Sequence, residues 1–455
     1  MGSETGGAAD PAPAPAGGPV HRLLSKAIDI RPDEVAALLW SCLFIFAVLC
    51  SYYVLRPIRD ELGVQGGVNN LPWLFTGTLI AMLAVNPLFA ALVKTLPRRR
   101  FIAISYRFFM ANLLFFALYL EFAPSDHHVW LGRAFFIWAS VFNLFVVSIF
   151  WAFIVDVFNS AQGKRLFGFL SAGATMGAVL GSTITATLVE EIGQNYLLLV
   201  SIGLLEIGVL AVRRLSRLSE GFRRAPSERD GEAEMPLGGS ILAGLTHTAR
   251  SPYLSGIGGF MLLFAITSTF LYFQQAAIVA EAFTGRAERT AFFANLDLIV
   301  NGLTLLLQVF FTSRALRRLG VAITLLALPA VSLIGFAALA IAPSITVLAV
   351  VQVARRVCNF AFARPARELL FTGATREDKY KAKSFLDTVV YRAGDQVGSW
   401  SYALMGAIGL ALAGISLAAV PLSALWIALS YWLGRRQEMA VKTVPVAERP
   451  AAVVL

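Results

Sequence analysis

The sequence is poor in charge. Asp, Glu, Lys and Arg make up 15% of its 455 residues, whereas hydrophobic residue types make up 57%. Soluble domains average about 45–50% apolar and about 25% charged residues, so a soluble globular protein is excluded and the apolar excess must face lipid. Cysteine is scarce as well: Cys42, Cys50 and Cys358 are an odd number, and all lie inside apolar segments. That placement excludes a disulfide framework and suits small buried hydrophobes. The histidines are His21, His127, His128 and His247, with no metal-ligand spacing, so neither a metal nor another cofactor is expected. No nucleophile with an acid–base partner stands out, which argues against a membrane-embedded enzyme. A receptor or complex subunit would require a soluble domain or partner-binding tail. The one long hydrophilic interruption, 214–250, is too short for such a domain. Residues 2–20 are rich in Gly, Ala and Pro and lack the apolar core of a signal peptide, so they are expected to be disordered.

What the sequence does hold is long apolar runs. Its mean hydropathy is +0.69, and it carries 34 Phe and 8 Trp, as a chain with much bilayer contact should. A transmembrane helix needs about 20 apolar residues. Such windows fall near 35–55, 71–93, 101–121, 129–155, 166–189 and 195–213, then near 253–282, 290–313, 320–342, 345–371, 384–408 and 411–433. The fold class is therefore all-α: a polytopic membrane protein of about twelve helices. The expected organisation is a disordered tail at 1–32, a six-helix half at 33–213, a cytoplasmic linker at 214–250, a second half at 251–434 and a tail at 435–455.

The net charge of +10 does not point to nucleic acid, because the basic residues gather between the spans. Lys94 and Arg98–Arg100, Lys164 and Arg165, Arg213 to Arg224, Arg314 to Arg318, Lys379 to Lys383, and Arg435 and Arg436 occupy every second connection. By the positive-inside rule these loops, both termini and the linker are cytoplasmic, as expected in a bacterial inner membrane. The chain also echoes itself. GKRLFGFLSAGATMGAVLGS (163–182) aligns with YKAKSFLDTVVYRAGDQVGS (380–399), setting Lys164 on Lys381, Gly177 on Gly394, Gly181 on Gly398 and Ser182 on Ser399. Parallel repeats of two six-helix halves, as in the major facilitator architecture, leave this kind of trace.

Ionisable residues at bilayer depth cost roughly 2.5–3.5 kcal/mol or more and therefore face a bundle interior or a wet cavity. The end of the first helix reads SYYVLRPIRDELG, with Arg56, Arg59, Asp60 and Glu61. The fourth helix carries Asp156, and the eleventh carries Asp387, Arg392 and Asp395. The tenth carries Arg355, Arg356, Arg364, Arg367 and Glu368. Arg56, Arg59 and Asp60 share one helical face, and R-P-A-R-E at 364–368 repeats the R-P-I-R-D of 56–60. Arginine's planar fork matches carboxylate and phosphate, so a surplus of arginine predicts a small anionic substrate. Arg59, Arg364, Arg367 and Arg392 are the expected ligands. Asp156, Glu368 and Asp395 are the expected counter-charges, and Asp297 or Glu206 would carry a proton if transport is proton-coupled. Lys164, Lys381 and Lys383 belong to the cytoplasmic access route. Tyr52, Tyr53, Trp151, Phe360, Tyr380, Tyr391 and Trp400 are the aromatics close enough to stack on a ring or to pack between helices.

Three blocks resemble the ATP/ADP translocases of plastids and intracellular bacteria: LRPIRDELGV, FWAFIVDVFNSAQGKRLFGFLSAGATMGAVLGS and FARPARELLFTGATREDKYKAKSFLDTVVYRAGDQVGS. That family has Lys-Asp where this chain has Arg59 and Asp60. Its Pro, Lys and Glu fall on Pro365, Arg367 and Glu368, and its Lys-x-Lys and Asp fall on Lys381, Lys383 and Asp387. The resemblance implies a major-facilitator-like bundle that exchanges nucleotides, with basic residues of both halves on the phosphates. It adds Lys381 and Lys383 to the substrate ligands, and Asp60 and Asp387 to the counter-charges. Arginine in place of lysine keeps the charge and changes the geometry. Proton-coupled transport of a non-nucleotide organic anion is the alternative.

Overall fold

The computed structural model describes residues 18–25, 29–95, 98–122, 124, 127–158, 160–222, 246, 248–371, 382–383 and 385–443. Lys381, Tyr380 and most of the 214–250 linker lie outside the described residues, as do 1–17 and 444–455. The described regular structure is helical throughout, as a lipid environment demands, because only a helix or a closed barrel satisfies every backbone polar group without water. A short helix, Pro19–Leu24, lies within the stretch expected to be a tail, and His21 there bonds to the Ile30 carbonyl.

Among the spans, α1 is Glu34–Gln65, α2 Leu71–Thr95, α3 Arg98–Phe122 and α4 His128–Val157. α5 and α6 form one run, Ser160–Phe222, broken at Gly193 with φ 78°. α7 is Pro252–Ala282, and α8 and α9 form the run Arg286–Ile341, broken at Gly320 with φ 76°. α10 is Ile345–Leu370, α11 spans 386–407 and α12 is Leu412–Thr443. Among the described residues, nine helices are long and apolar enough to cross a bilayer by themselves. Two of these, of 54 and 56 residues, are about 80 Å long, against a hydrocarbon core of about 30 Å. Each must cross twice, turning at its glycine, where a positive φ carries no penalty from a Cβ. With α11, whose charges lower its hydropathy, the spans number twelve.

α1 is longer than its apolar window. The window ends at 55 because Arg56, Arg59, Asp60 and Glu61 come next, yet the helix runs ten residues further and carries Pro57 inside it. The charged face is buried in protein, so hydropathy, which assumes lipid on every side, stops too early. These residues therefore lie inside the helix, in its last three turns.

The glycines of the internal repeat mark close helix contacts in both halves. A Cβ on Gly177 would fall 2.3 Å from the Phe46 carbonyl oxygen, and one on Gly181 would fall 2.3 Å from that of Cys50. A Cβ on Gly394 would lie 2.5 Å from the Ala265 Cβ, and one on Gly398 3.0 Å from the Thr269 Cβ. Thus α5 presses on α1 as α11 presses on α7, backbone against backbone, a close approach that small residues permit in membranes. Ser182 and Ser399, the next matched pair, are both fully buried.

Candidate functional site

α1, α2, α4, α7, α10 and α11 enclose a cavity of about 1430 Å³. Each R-P-x-R-acid motif supplies one strip of its wall. On α1, helical spacing turns Arg56, Arg59 and Asp60 to the cavity together. Arg59 bonds to Asp60 at 2.9 Å and lies over the Phe136 ring at 4.8 Å. The Tyr272 hydroxyl donates to Asp60 at 3.0 Å, joining α1 to α7. Arg56 donates to Asp297 Oδ1 on α8 at 2.8 Å. Arg356 Nη2 on α10 reaches the same oxygen at 2.6 Å, without hydrogen-bond alignment. One carboxylate, 2% exposed, thus serves two arginines from opposite halves, and its Oδ2 takes no hydrogen bond among the described residues.

The second strip lies where α10 ends and α11 begins. Arg367 is 3.8 Å from Asp387, Lys383 pairs with Glu368, and Arg392 is 3.3 Å from Asp395. Thr269 also donates to Asp395 at 3.4 Å. Arg364 is exposed at the cavity mouth and has no carboxylate within ion-pair distance among the described residues. Both helices contain a π-turn here, Asn359–Ala363 and Leu386–Val390. The extra residue in a π-turn rotates the next stretch of helix about its axis. It therefore resets the face on which Arg364 and Arg367 project relative to Arg355 and Arg356.

Arg59, Arg364, Arg367, Arg392 and Lys383 all line the cavity, with Asp60, Glu368, Asp387 and Asp395 among them. The side chains of Asp156 and Lys164, like residue Lys381, lie outside the described residues. Glu206 sits elsewhere, paired with Arg107 at 3.2 Å on an exposed face of α3 and α6, away from the cavity where a coupling proton would be carried. Glu61 also turns away, as the helical period requires one residue past Asp60.

Of the aromatics that the sequence offers for stacking or packing, two face the cavity and others pack between helices. Phe360 and Tyr391 line the cavity, but the other lining aromatics are Phe75, Phe136, Phe145, Phe264 and Tyr272. These stand in apolar helices with no local signal to separate a lining ring from a packed one. Trp400 instead meets Trp73 edge to face at 4.9 Å. Arg355 and Arg356 were visible as charges at bilayer depth, but nothing in their spacing showed that they reach this site. Among the described residues, eight cationic side chains line the cavity against four carboxylates. Asp297 behind the wall neutralises one more, leaving a net formal charge of +3.

The two halves are tied together at the face opposite the chain termini. Glu61 accepts from Arg289 at 2.9 Å and from Gln194 at 3.0 Å, and lies 3.6 Å from Arg286. Gln194 donates to Thr290 at 2.7 Å, and Thr76 donates to Gln396 at 2.9 Å. The cavity therefore opens toward the face of the termini, where Arg364, Lys383 and Asp387 lie.

No curated protein sequence matches this one. Solved structures do share the fold. A bacterial homologue of the human lysosomal transporter Spinster, in an inward-facing and unoccupied conformation, aligns with a TM-score of 0.51 at 14% identity, covering 93% of this chain and 100% of that one. A point mutant of the nucleoside transporter NupG aligns at 0.52 and 12% identity, covering 89% and 99%. Residues 35–366, well over half the chain, match the sequence profile of the Major Facilitator Superfamily, and the protein belongs to that superfamily as an integral membrane protein.

Proposed function

We propose that the protein is a secondary transporter of an organic anion, specifically a phosphorylated solute such as ATP, ADP or another nucleotide. The observation that carries this is the surplus of arginine and lysine around a cavity at bilayer depth. An uncompensated positive charge in a low-dielectric wall attracts an anion strongly. Arg59, Arg364, Arg367, Arg392, Lys381 and Lys383 are the ligands in this reading. Asp60, Asp156, Glu368, Asp387 and Asp395 exchange partners as the two halves rock in alternating access. The three blocks resembling ATP/ADP translocases support a nucleotide and an exchange mode. A nucleoside transporter among the structural neighbours is in keeping with a solute that carries a base. With the termini in the cytoplasm of a bacterial cell, the cavity faces inward.

A proton-coupled symporter of a non-nucleotide anion is the second reading. It is favoured by Asp395, a cavity-lining carboxylate only 7% exposed. Uptake by proteoliposomes separates the two. Exchange should give saturable uptake of labelled ATP that needs internal ADP and ignores a pH gradient. A symporter would respond to the gradient and not to internal nucleotide. Arg367→Gln should abolish uptake with folding intact, and undiminished transport by that variant would refute the site.

A further inference from the structure

Of the cations deep in the cavity, Arg355 alone has no carboxylate among the described residues. Arg56 and Arg356 share Asp297, Arg59 has Asp60, Arg367 has Asp387, and Arg392 has Asp395. Arg355 is 5% exposed. Its partners are neutral: Nε donates to Ser332 at 2.9 Å, and Nη2 donates to Thr267 at 2.8 Å and to Ser268 at 3.0 Å. Nη2 also lies 3.4 Å from the Phe264 carbonyl, and the guanidinium stands 5.6 Å from the Phe264 ring. Among the described residues Nη1 makes no hydrogen bond, although Arg355 lines the cavity. Arg355 is the eleventh residue of α10, roughly 15 Å along the helix and so near the midplane.

The hydroxyls around it do not need it. Thr267 donates to the Leu263 carbonyl at 2.7 Å, Ser268 to Phe264 at 2.7 Å and Ser332 to Leu328 at 2.9 Å. Their protons are already placed, so they offer Arg355 only lone pairs. They orient the guanidinium without neutralising it. A buried charge is strongly disfavoured unless it is paired, and the missing negative charge is the one element this site lacks.

We propose that Arg355 is the central anchor of the substrate anion, meeting one oxyanion oxygen end-on through Nη1. The assignment rests on the organic-anion reading above and makes it more specific. The other arginines deep in the cavity must give up a carboxylate before they can bind, whereas Arg355 is free to bind first. With Nε and Nη2 engaged, it cannot present the two-nitrogen fork, so a single terminal oxygen of a phosphoryl or carboxylate group is the matching ligand.

The test is the thermal shift of purified full-length protein with ATP, pyrophosphate and citrate, comparing wild type, Arg355→Gln and Arg355→Lys. An anchor predicts that wild type is stabilised by at least one of these anions. Arg355→Gln should then bind that anion about tenfold or more weakly, and Arg355→Lys should regain part of the loss. Without anion, Arg355→Gln should melt no lower than wild type, because no proton donor is orphaned and an unpaired charge is removed. Citrate binding without pyrophosphate binding would assign a carboxylate, and the converse a phosphoryl group. Undiminished anion binding by Arg355→Gln would overturn the anchor and leave the anion reading standing, as would a lower melting point without anion accompanied by unchanged affinity. No response of wild type to any of the three would overturn the anion reading and the anchor together.

Discussion

Glu61→Gln tests whether the closed face is held by charge. Glu61 is fully buried, and its partners Arg286 and Arg289 have side chains 33% and 12% exposed. Breaking a fully buried pair costs about 3–5 kcal/mol, and water reaching the two arginines reduces this. Glutamine keeps an acceptor for Arg289 but loses the charge and the second acceptor that takes the Gln194 amide, so the expected cost is about 2 kcal/mol. The contact joins α1 to the α7–α8 and α5–α6 connections, and it exists only while this face is shut. The cost therefore falls on the closed face alone and should shift the equilibrium toward the opposite state about thirtyfold. The assay is the distance between spin labels at Asn69 and Thr284, both exposed on this face, with Cys42, Cys50 and Cys358 replaced by Ser. Glu61→Gln should add a longer-distance population that wild type lacks. A folded variant with an unchanged distribution would show that the face is held by packing, and the charge argument would be wrong.

The packing and the ion pairs lead to three other outcomes. Gly177→Val and Gly394→Val should each destabilise by about 1–3 kcal/mol through overpacking, seen as a lower melting temperature in detergent, whereas Gly203→Ala, with nothing within 4 Å of the added carbon, should not. Asp297→Asn should destabilise by about 3 kcal/mol by leaving Arg56 and Arg356 without their shared charge. Adding Arg356→Gln should restore part of the melting temperature, and its failure to do so would deny the coupling. Replacing both Arg107 and Glu206 by Leu should leave the melting temperature unchanged or raise it, because a lipid-facing ion pair gains little over apolar contact, while Arg107→Leu alone should lower it.

The sequence by itself determined the elements and their topology. Apolar windows set the spans because lipid demands self-satisfied helices, and the alternation of basic loops set their expected orientation. It also marked the two R-P-x-R-acid strips, because charge at bilayer depth needs a polar surface and helical spacing puts three such residues on one face. The repeat of Gly177 and Gly181 in Gly394 and Gly398 was legible for the same local reason, since a close helix contact leaves a small-residue signature in each half.

Tertiary structure alone decided how far α1 extends, because hydropathy cannot know that a charged face is covered by protein. It alone separated Asp60, on the cavity, from Glu61, in the lock on the closed face. They are neighbours in sequence but lie about 100° apart around the helix. It moved Glu206 to an outer surface and drew Asp297 between two arginines some 60 and 240 residues away. Above all it showed which of the arginines deep in the cavity already have a carboxylate and which does not. A count of charges gives the sign of the cavity, but only three-dimensional pairing shows that the uncompensated charge deep in the wall is Arg355.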